Sequence, residues 1–217
     1  MAPRPTRASD RPVIAVLDYG IGNLRSAEKA LQHLGADAAL VDDPDLAATA
    51  SGVVLPGVGS FGRCAQALRS SGLDEAAVTA VDRGVPFLGI CVGFQLLYEG
   101  SDESPGDEGL GVLAGTVRRL PDGVKRPQMQ WNVLDPADAP AGGLLAGVPI
   151  PAWVYFVHSY APEQTADTSS TCDYGGPITA SAERGAVWGA QFHPEKSGSV
   201  GLGILANFVR AVADRPA

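Results

Sequence analysis

The sequence predicts an α/β protein with a mainly parallel central sheet flanked by helices and antiparallel strands added in its second half. Three observations carry this reading. Short apolar runs of strand length (VIAVLD from Val13, GVVLPG from Gly52, VPFLGI from Val85) have the composition of strands buried on both faces. Helical patterns lie between these runs, and such alternation builds parallel strands joined by crossovers. In the second half, strand-like segments follow one another with mostly turns and loops between them, the signature of antiparallel pairing.

Taken in order, the first strand at Val13 runs into the turn-rich YGIGN. Leu24, Ala27, Leu31 and Leu34 then recur on one helical face, and Gly35 stands where a helix ends in left-handed geometry. The strand DAALV follows, then SGVVLPGVG, two helices over Phe61–Ser70 and Leu73–Arg83, and the strand ending in GI. Beyond these, GVLAGTVRRL, QWNVLD, WVYFVHSY, PITASAE and AVWGAQF read as strands. A closing helix places Leu202, Leu205, Phe208, Val209 and Val212 on one face.

The 217 residues suffice for one core, so residues 12–217 are expected to form one domain behind a disordered tail at 1–11. That opening segment lacks the apolar stretch of a secretory signal, and no apolar run is long enough to cross a bilayer. A formal charge of −8 repels phosphate backbones, which argues against nucleic acid as a partner. The three cysteines show no metal-binding or dithiol spacing and fit a reducing, cytoplasmic setting. No metal or cofactor is called for.

Gly89-Ile90-Cys91-Val92-Gly93 has the form G-x-C-x-G between an apolar strand and a helical stretch, the cysteine counterpart of the strained elbow that displays serine nucleophiles. Backbone N–H groups at the start of a helix favour the thiolate. A lone cysteine is more often a buried core residue, and Cys64 and Cys172, which lack the elbow context, are read that way. Gln191-Phe192-His193-Pro194-Glu195 supplies a base and a carboxylate to orient it, because positions 193 and 195 of an extended chain point the same way. Of the remaining histidines, His33 reads as a surface or packing residue, and His158 as a strand histidine in preference to a pocket wall. Pro56-Gly57-Val58-Gly59, at the end of a strand, is a second source of N–H groups for an oxyanion beside that of Val92.

Together, GICVGFQLLYEGS, LPGVGSFG and QFHPEKS resemble the class I (triad) glutamine amidotransferases. DYGIGNLRS and HPEKS are similar to the glutaminase subunits of imidazole glycerol phosphate synthases within that family, as are PQMQWN and YFVHSY. The resemblance implies the three-layer fold of that family and a triad of Cys91, His193 and Glu195 that hydrolyses glutamine through a thioester. It also implies an oxyanion hole from Val58, Gly59 and Val92, and glutamine contacts from Gly57, Gln95, Glu103, Ser159 and Tyr160. The implied partner is a barrel-shaped cyclase subunit, paired as a heterodimer, that receives the ammonia in histidine biosynthesis. Asn23, Trp131 and Lys196 would lie at or near its interface. Phe94, Gln128 and Gln130 depart from the family pattern without touching the triad. The competing readings are an amidotransferase subunit of another ammonia-using synthase and a non-catalytic regulatory subunit of the same fold.

Overall fold

The computed structural model describes residues 12–136 and 143–215; the tail at 1–11 lies outside them. The chain begins with β1 (Val13–Leu17), α1 (Leu24–His33), β2 (Asp37–Val41), α2 (Pro44–Thr49) and β3 (Gly52–Gly57). It continues through α3 (Phe61–Ser70), α4 (Leu73–Asp82), β4 (Phe87–Cys91) and α5 (Val92–Gln95). The second half carries β5 (Gly100–Ser101), β6 (Thr116–Arg119), β7 (Gln128–Pro136), β8 (Ala152–His158) and β9 (Tyr160–Pro162). The last elements are β10 (Thr168–Asp173), β11 (Pro177–Arg184), β12 (Val187–Ala190), a 3-10 turn at Pro194–Lys196 and α6 (Gly198–Ala213).

Among the described residues a nine-stranded sheet runs β2-β1-β3-β4-β12-β11-β10-β7-β8. β2, β1, β3, β4 and β12 are parallel neighbours, and the pairings from β12 through β8 are antiparallel. A small sheet, β5-β6-β9, sits apart. Packing pairs α1 with α6, and α2 and α3 with α4. The expected α/β architecture is therefore present, with its two halves meeting at β12.

Burial explains why the first strands were legible. Every residue of β3 and β4 is buried, as apolar runs covered by helices on both faces should be. Residues 111–115 are not strand, because Gly111 and Gly115 take positive φ and turn the chain, so GVLAGTVRRL contributes only β6. In α6 the buried face is Ile204, Leu205, Phe208 and Val212, with Leu202 and Val209 at its margin. Two features of the topology position the site. β12 lies beside β4 in parallel register, Ala190 opposite Ile90, so the residues after both strands emerge at the same edge. β3 flanks β4 on its other side with Gly57 opposite Cys91, which brings the glycine loop there too.

Candidate active site

Cys91 ends β4 with φ 55°, the sole non-glycine positive φ among the described residues. A side chain in that region is strained, and strain of this kind is held only where the surroundings enforce it. Two glycines make the turn possible. A Cβ on Gly93 would overlap the Leu55 carbonyl of β3, and one on Gly89 would press on the Phe94 backbone. The elbow expected from G-x-C-x-G is thus formed, with the Cys91 side chain at the strand ends and α5 beginning directly after it.

His193 follows β12 and is fixed at both backbone ends: its N–H donates to the Tyr155 carbonyl at 2.9 Å, and its own carbonyl accepts from the Ser197 hydroxyl at 2.6 Å. Its Nδ1 meets Glu195 Oε1 at 2.8 Å, and since a carboxylate accepts, Nδ1 carries the proton and Nε2 faces away from Glu195. Nε2 makes no hydrogen bond with the described residues. Burial pulls the His193 pKa down, but contacts with Cys91 and Glu195 outweigh it and raise the pKa to about 10. Both side chains of the His193–Glu195 pair are only 2% exposed, so the interaction is little screened by solvent.

Cys91 and His193 share one cavity of about 240 Å³, whose walls also include Val58, Gly59, Val92, Gln95, Glu103, His158, Ser159 and Tyr160. Of the residues expected to contact a ligand, Gln95, Glu103, Ser159 and Tyr160 therefore line the cavity, as do the oxyanion candidates Val58, Gly59 and Val92. Gly57 pairs with Cys91 but is not among the lining residues. Gln95 spends both N–H groups internally, on the Tyr160 carbonyl and on Gln191 Oε1, each at 2.9 Å. Glu103 accepts at 2.8 Å from the N–H of Phe61, the first residue of α3.

The glycine loop is fastened from beneath. The Tyr19 hydroxyl donates to the Pro56 carbonyl at 2.7 Å, and the Cys64 thiol to the Val58 carbonyl at 3.3 Å. Burial raises both their pKa values, so each remains a donor. Cys64, read from sequence as structural, thus holds a wall of the cavity in place. Cys172 is buried, with Gln128 Nε2 at 3.8 Å from its sulfur.

Three contacts escaped the sequence reading. Gln191, fully buried, links Gln95 to Cys91, its Nε2 lying 3.8 Å from Cys91 Sγ. Asn23, expected at a partner interface, donates through Nδ2 to Glu195 Oε1 at 3.2 Å, the same oxygen that meets His193. His158 does wall the cavity; its Nδ1 donates to the Tyr160 carbonyl at 2.9 Å, and burial drives its pKa down to about 4, so it is neutral at pH 7. Gln191 and Asn23 each lie within a motif, QFHPEKS and DYGIGNLRS, but nothing local identified their partners.

The other two residues expected near an interface are both outward. Lys196 is exposed beside Glu195, and Trp131 is 48% exposed. Trp131 stands opposite Tyr155 on the antiparallel pair β7–β8, on the same face as the exposed Met129 and Trp153. Among the described residues no cluster of three or more His, Cys, Asp or Glu side chains could hold a metal ion, and no helix is long and apolar enough to cross a membrane.

Comparison with known proteins gives this arrangement its context. Solved structures with the same fold include a glutamine amidotransferase (TM-score 0.73, 20% identity, 93% of this chain and 99% of that one). PurLQS from Thermotoga maritima matches with TM-score 0.70 at 22% identity, over 93% of this chain and 99% of that one. Much closer in sequence is the imidazole glycerol phosphate synthase subunit HisH of Symbiobacterium thermophilum, 48% identical over 93% of this chain and 95% of the relative. The protein of the same name from Deinococcus radiodurans is 44% identical over 98% and 99%. The sequence profile of glutamine amidotransferase class-I matches residues 15–212, nearly the whole of the described fold, and the chain belongs to that family.

Proposed function

We propose that this chain is the glutaminase subunit of an imidazole glycerol phosphate synthase, releasing ammonia from glutamine through a Cys91 thioester and passing it to a cyclase subunit. The observation that carries the chemistry is the meeting in one cavity of a strained Cys91 with His193, which is itself paired with Glu195. Identity of 44–48% to subunits of that name over nearly the whole chain supports the substrate and the partner.

In this reading Cys91 passes its proton to His193 and its sulfur attacks the side-chain amide carbon of glutamine, while the N–H of Val92 with one from the glycine loop meets the oxyanion. His193, whose raised pKa keeps it protonated at neutral pH beside Cys91, gives its Nε2 proton to the departing nitrogen. The carbon–nitrogen bond breaks, ammonia leaves and a glutamyl thioester remains. His193 then removes a proton from water, the hydroxide adds to the thioester, and glutamate departs as the thiol is restored. Glu195 stabilises the charged imidazole and fixes its tautomer. Glutamine would lie along Gln95, Glu103, Ser159 and Tyr160, its ammonium toward the Glu103 carboxylate.

Ammonia released into neutral water is protonated and loses its nucleophilicity, so the product must be delivered directly. The apolar face of Met129, Trp131 and Trp153, with Lys196, suits a docked acceptor subunit as a heterodimer. We place the protein in the cytoplasm, in keeping with three free cysteines. The isolated chain is expected to be a weak glutaminase whose competent loop conformation is favoured by the liganded partner. The test is ammonia release from glutamine with and without the cyclase and its ribotide ligand. Stimulation by that partner and loss of turnover in Cys91→Ala support the proposal; stimulation by an anthranilate synthase subunit alone, or turnover in Cys91→Ala, overturns it.

A further inference from the structure

Glu103 belongs to two structures at once. It lines the cavity that holds Cys91, and its Oε2 accepts the N–H of Phe61 at 2.8 Å. Phe61 opens α3, immediately after the Val58–Gly59–Ser60 segment, and its ring is completely buried. The N-cap residue, Ser60, makes no side-chain capping bond. Helix α3 is capped from outside instead, by Glu103 on Phe61 and by the Ser104 hydroxyl on the Gly62 N–H at 3.1 Å. Gly62 permits this approach, since a Cβ there would overlap Asp107 and crowd Ser104.

The glycine loop is therefore a short span between fixed points. On one side are Tyr19 on the Pro56 carbonyl and Cys64 on the Val58 carbonyl; on the other is the capped start of α3. Of these anchors, Glu103 is the one whose side chain also faces the cavity. A carboxylate has a second oxygen and enough lone pairs to hold a helix N–H and an ammonium group together.

We infer that Glu103 is a positioning residue for the oxyanion loop as well as a glutamine contact: one oxygen pins the start of α3, and the other reads the substrate ammonium. This rests on the glutaminase reading above and deepens it. A correctly seated glutamine would thereby tighten the loop whose N–H groups stabilise its own oxyanion, and an amide without the ammonium would not.

Two substitutions separate the roles. Glu103→Gln keeps an acceptor for the Phe61 N–H while removing the charge, and Glu103→Ala removes both. In ammonia-release assays with the cyclase partner, Glu103→Gln is expected to raise KM with kcat within about threefold of wild type. Glu103→Ala should raise KM and lower kcat about fivefold below Glu103→Gln, the value of one hydrogen bond of about 1 kcal/mol to a neutral acceptor. Ser104→Ala, outside the cavity, loosens the same anchor and should lower kcat a few-fold at unchanged KM. Circular dichroism and thermal unfolding identify any variant that fails to fold, leaving Ser104→Ala to decide. Equal kcat for Glu103→Gln and Glu103→Ala, together with unchanged kcat in Ser104→Ala, overturns the inference and leaves the glutaminase reading intact. A wild-type complex that releases no ammonia from glutamine would instead defeat that underlying reading.

Discussion

Replacing Asn23 by alanine tests whether this residue serves the proposed triad of Cys91, His193 and Glu195 or only a partner interface. Glu195 Oε1 accepts from His193 at 2.8 Å and from Asn23 at 3.2 Å, while Oε2 has no partner among the described residues. Removing Asn23 leaves a nearly buried carboxylate with one hydrogen bond. Bonds to charged groups contribute about 1.5–3 kcal/mol, and at 3.2 Å this one falls at the weak end, about 1.5 kcal/mol. If the whole of it is felt when His193 is a cation, kcat falls about tenfold. Stability should change little: Asn23 is the N-cap residue of α1 but makes no side-chain capping bond, and its side chain otherwise accepts from the Ser26 hydroxyl, while its backbone bond from Ala27 survives the substitution. The assay is ammonia release at saturating glutamine and saturating partner, with partner affinity measured separately. Asn23→Asp should be slower still, because a second carboxylate would face Glu195. A kcat within twofold of wild type at saturating partner, with only partner affinity reduced, would refute the reasoning and return Asn23 to the interface.

Three further outcomes follow from particular contacts. The pKa of His158 is depressed from 6.5 to about 4, so the folded state binds fewer protons than the unfolded state between those values. Its contribution to stability is present above pH 6.5 and is lost as pH falls toward 4, up to about 3 kcal/mol; urea unfolding from pH 7 to 4 should show a shallower decline in His158→Asn than in wild type. Gly93→Ala, which drives a Cβ into the Leu55 carbonyl, should cost about 3 kcal/mol in denaturant unfolding, whereas Gly203→Ala, in α6 with open space around it, should stabilise by about 0.5–1 kcal/mol. Trp131→Ala removes an exposed ring that packs edge-on against Tyr155 with centroids 6.0 Å apart; thermal stability should shift by less than about 1 kcal/mol while affinity for the cyclase drops at least about tenfold in a binding titration.

What the sequence made legible divides along physical lines. The parallel strands announced themselves because burial on both faces demands uninterrupted apolar residues, and the elbow did because only glycine fits at positions 89 and 93. The short helix α2 carries a sound start signal, Asp43 capping the N–H groups of Asp45 and Leu46 ahead of Pro44, yet its six residues are too few to show a helical period. Strand β10, TSSTCD, looks polar because its buried face is built from hydroxyls: Ser169 and Ser170 both meet the Ser181 hydroxyl, at 2.7 and 2.6 Å. A pattern of apolar residues cannot reveal a strand whose buried side chains satisfy one another. Gln191 was hidden differently. Its residue type suggests nothing, and its place arises only because the end of β12 meets Cys91 and Gln95 at the turn from β4 into α5.

That distinction also explains why Cys91, His193 and Glu195 could be singled out in the sequence without their geometry being derivable. The Cys91 turn and the His193-Pro194-Glu195 turn are local features, each written in a few residues. Their meeting depends on β12 entering the sheet beside β4, after the chain has built β5 through β11 elsewhere. The intervening strands supply what the Cys91 turn alone lacks: β8 leads into the His158–Tyr160 wall of the cavity, and β7–β8 presents the apolar outer face. Tyr155 of β8 also accepts the backbone N–H of His193, so the same pair of strands that carries the exposed Trp131 holds His193 in place. A subunit docked on that face would press on the element that fixes His193, giving partner binding a direct physical route to the catalytic geometry.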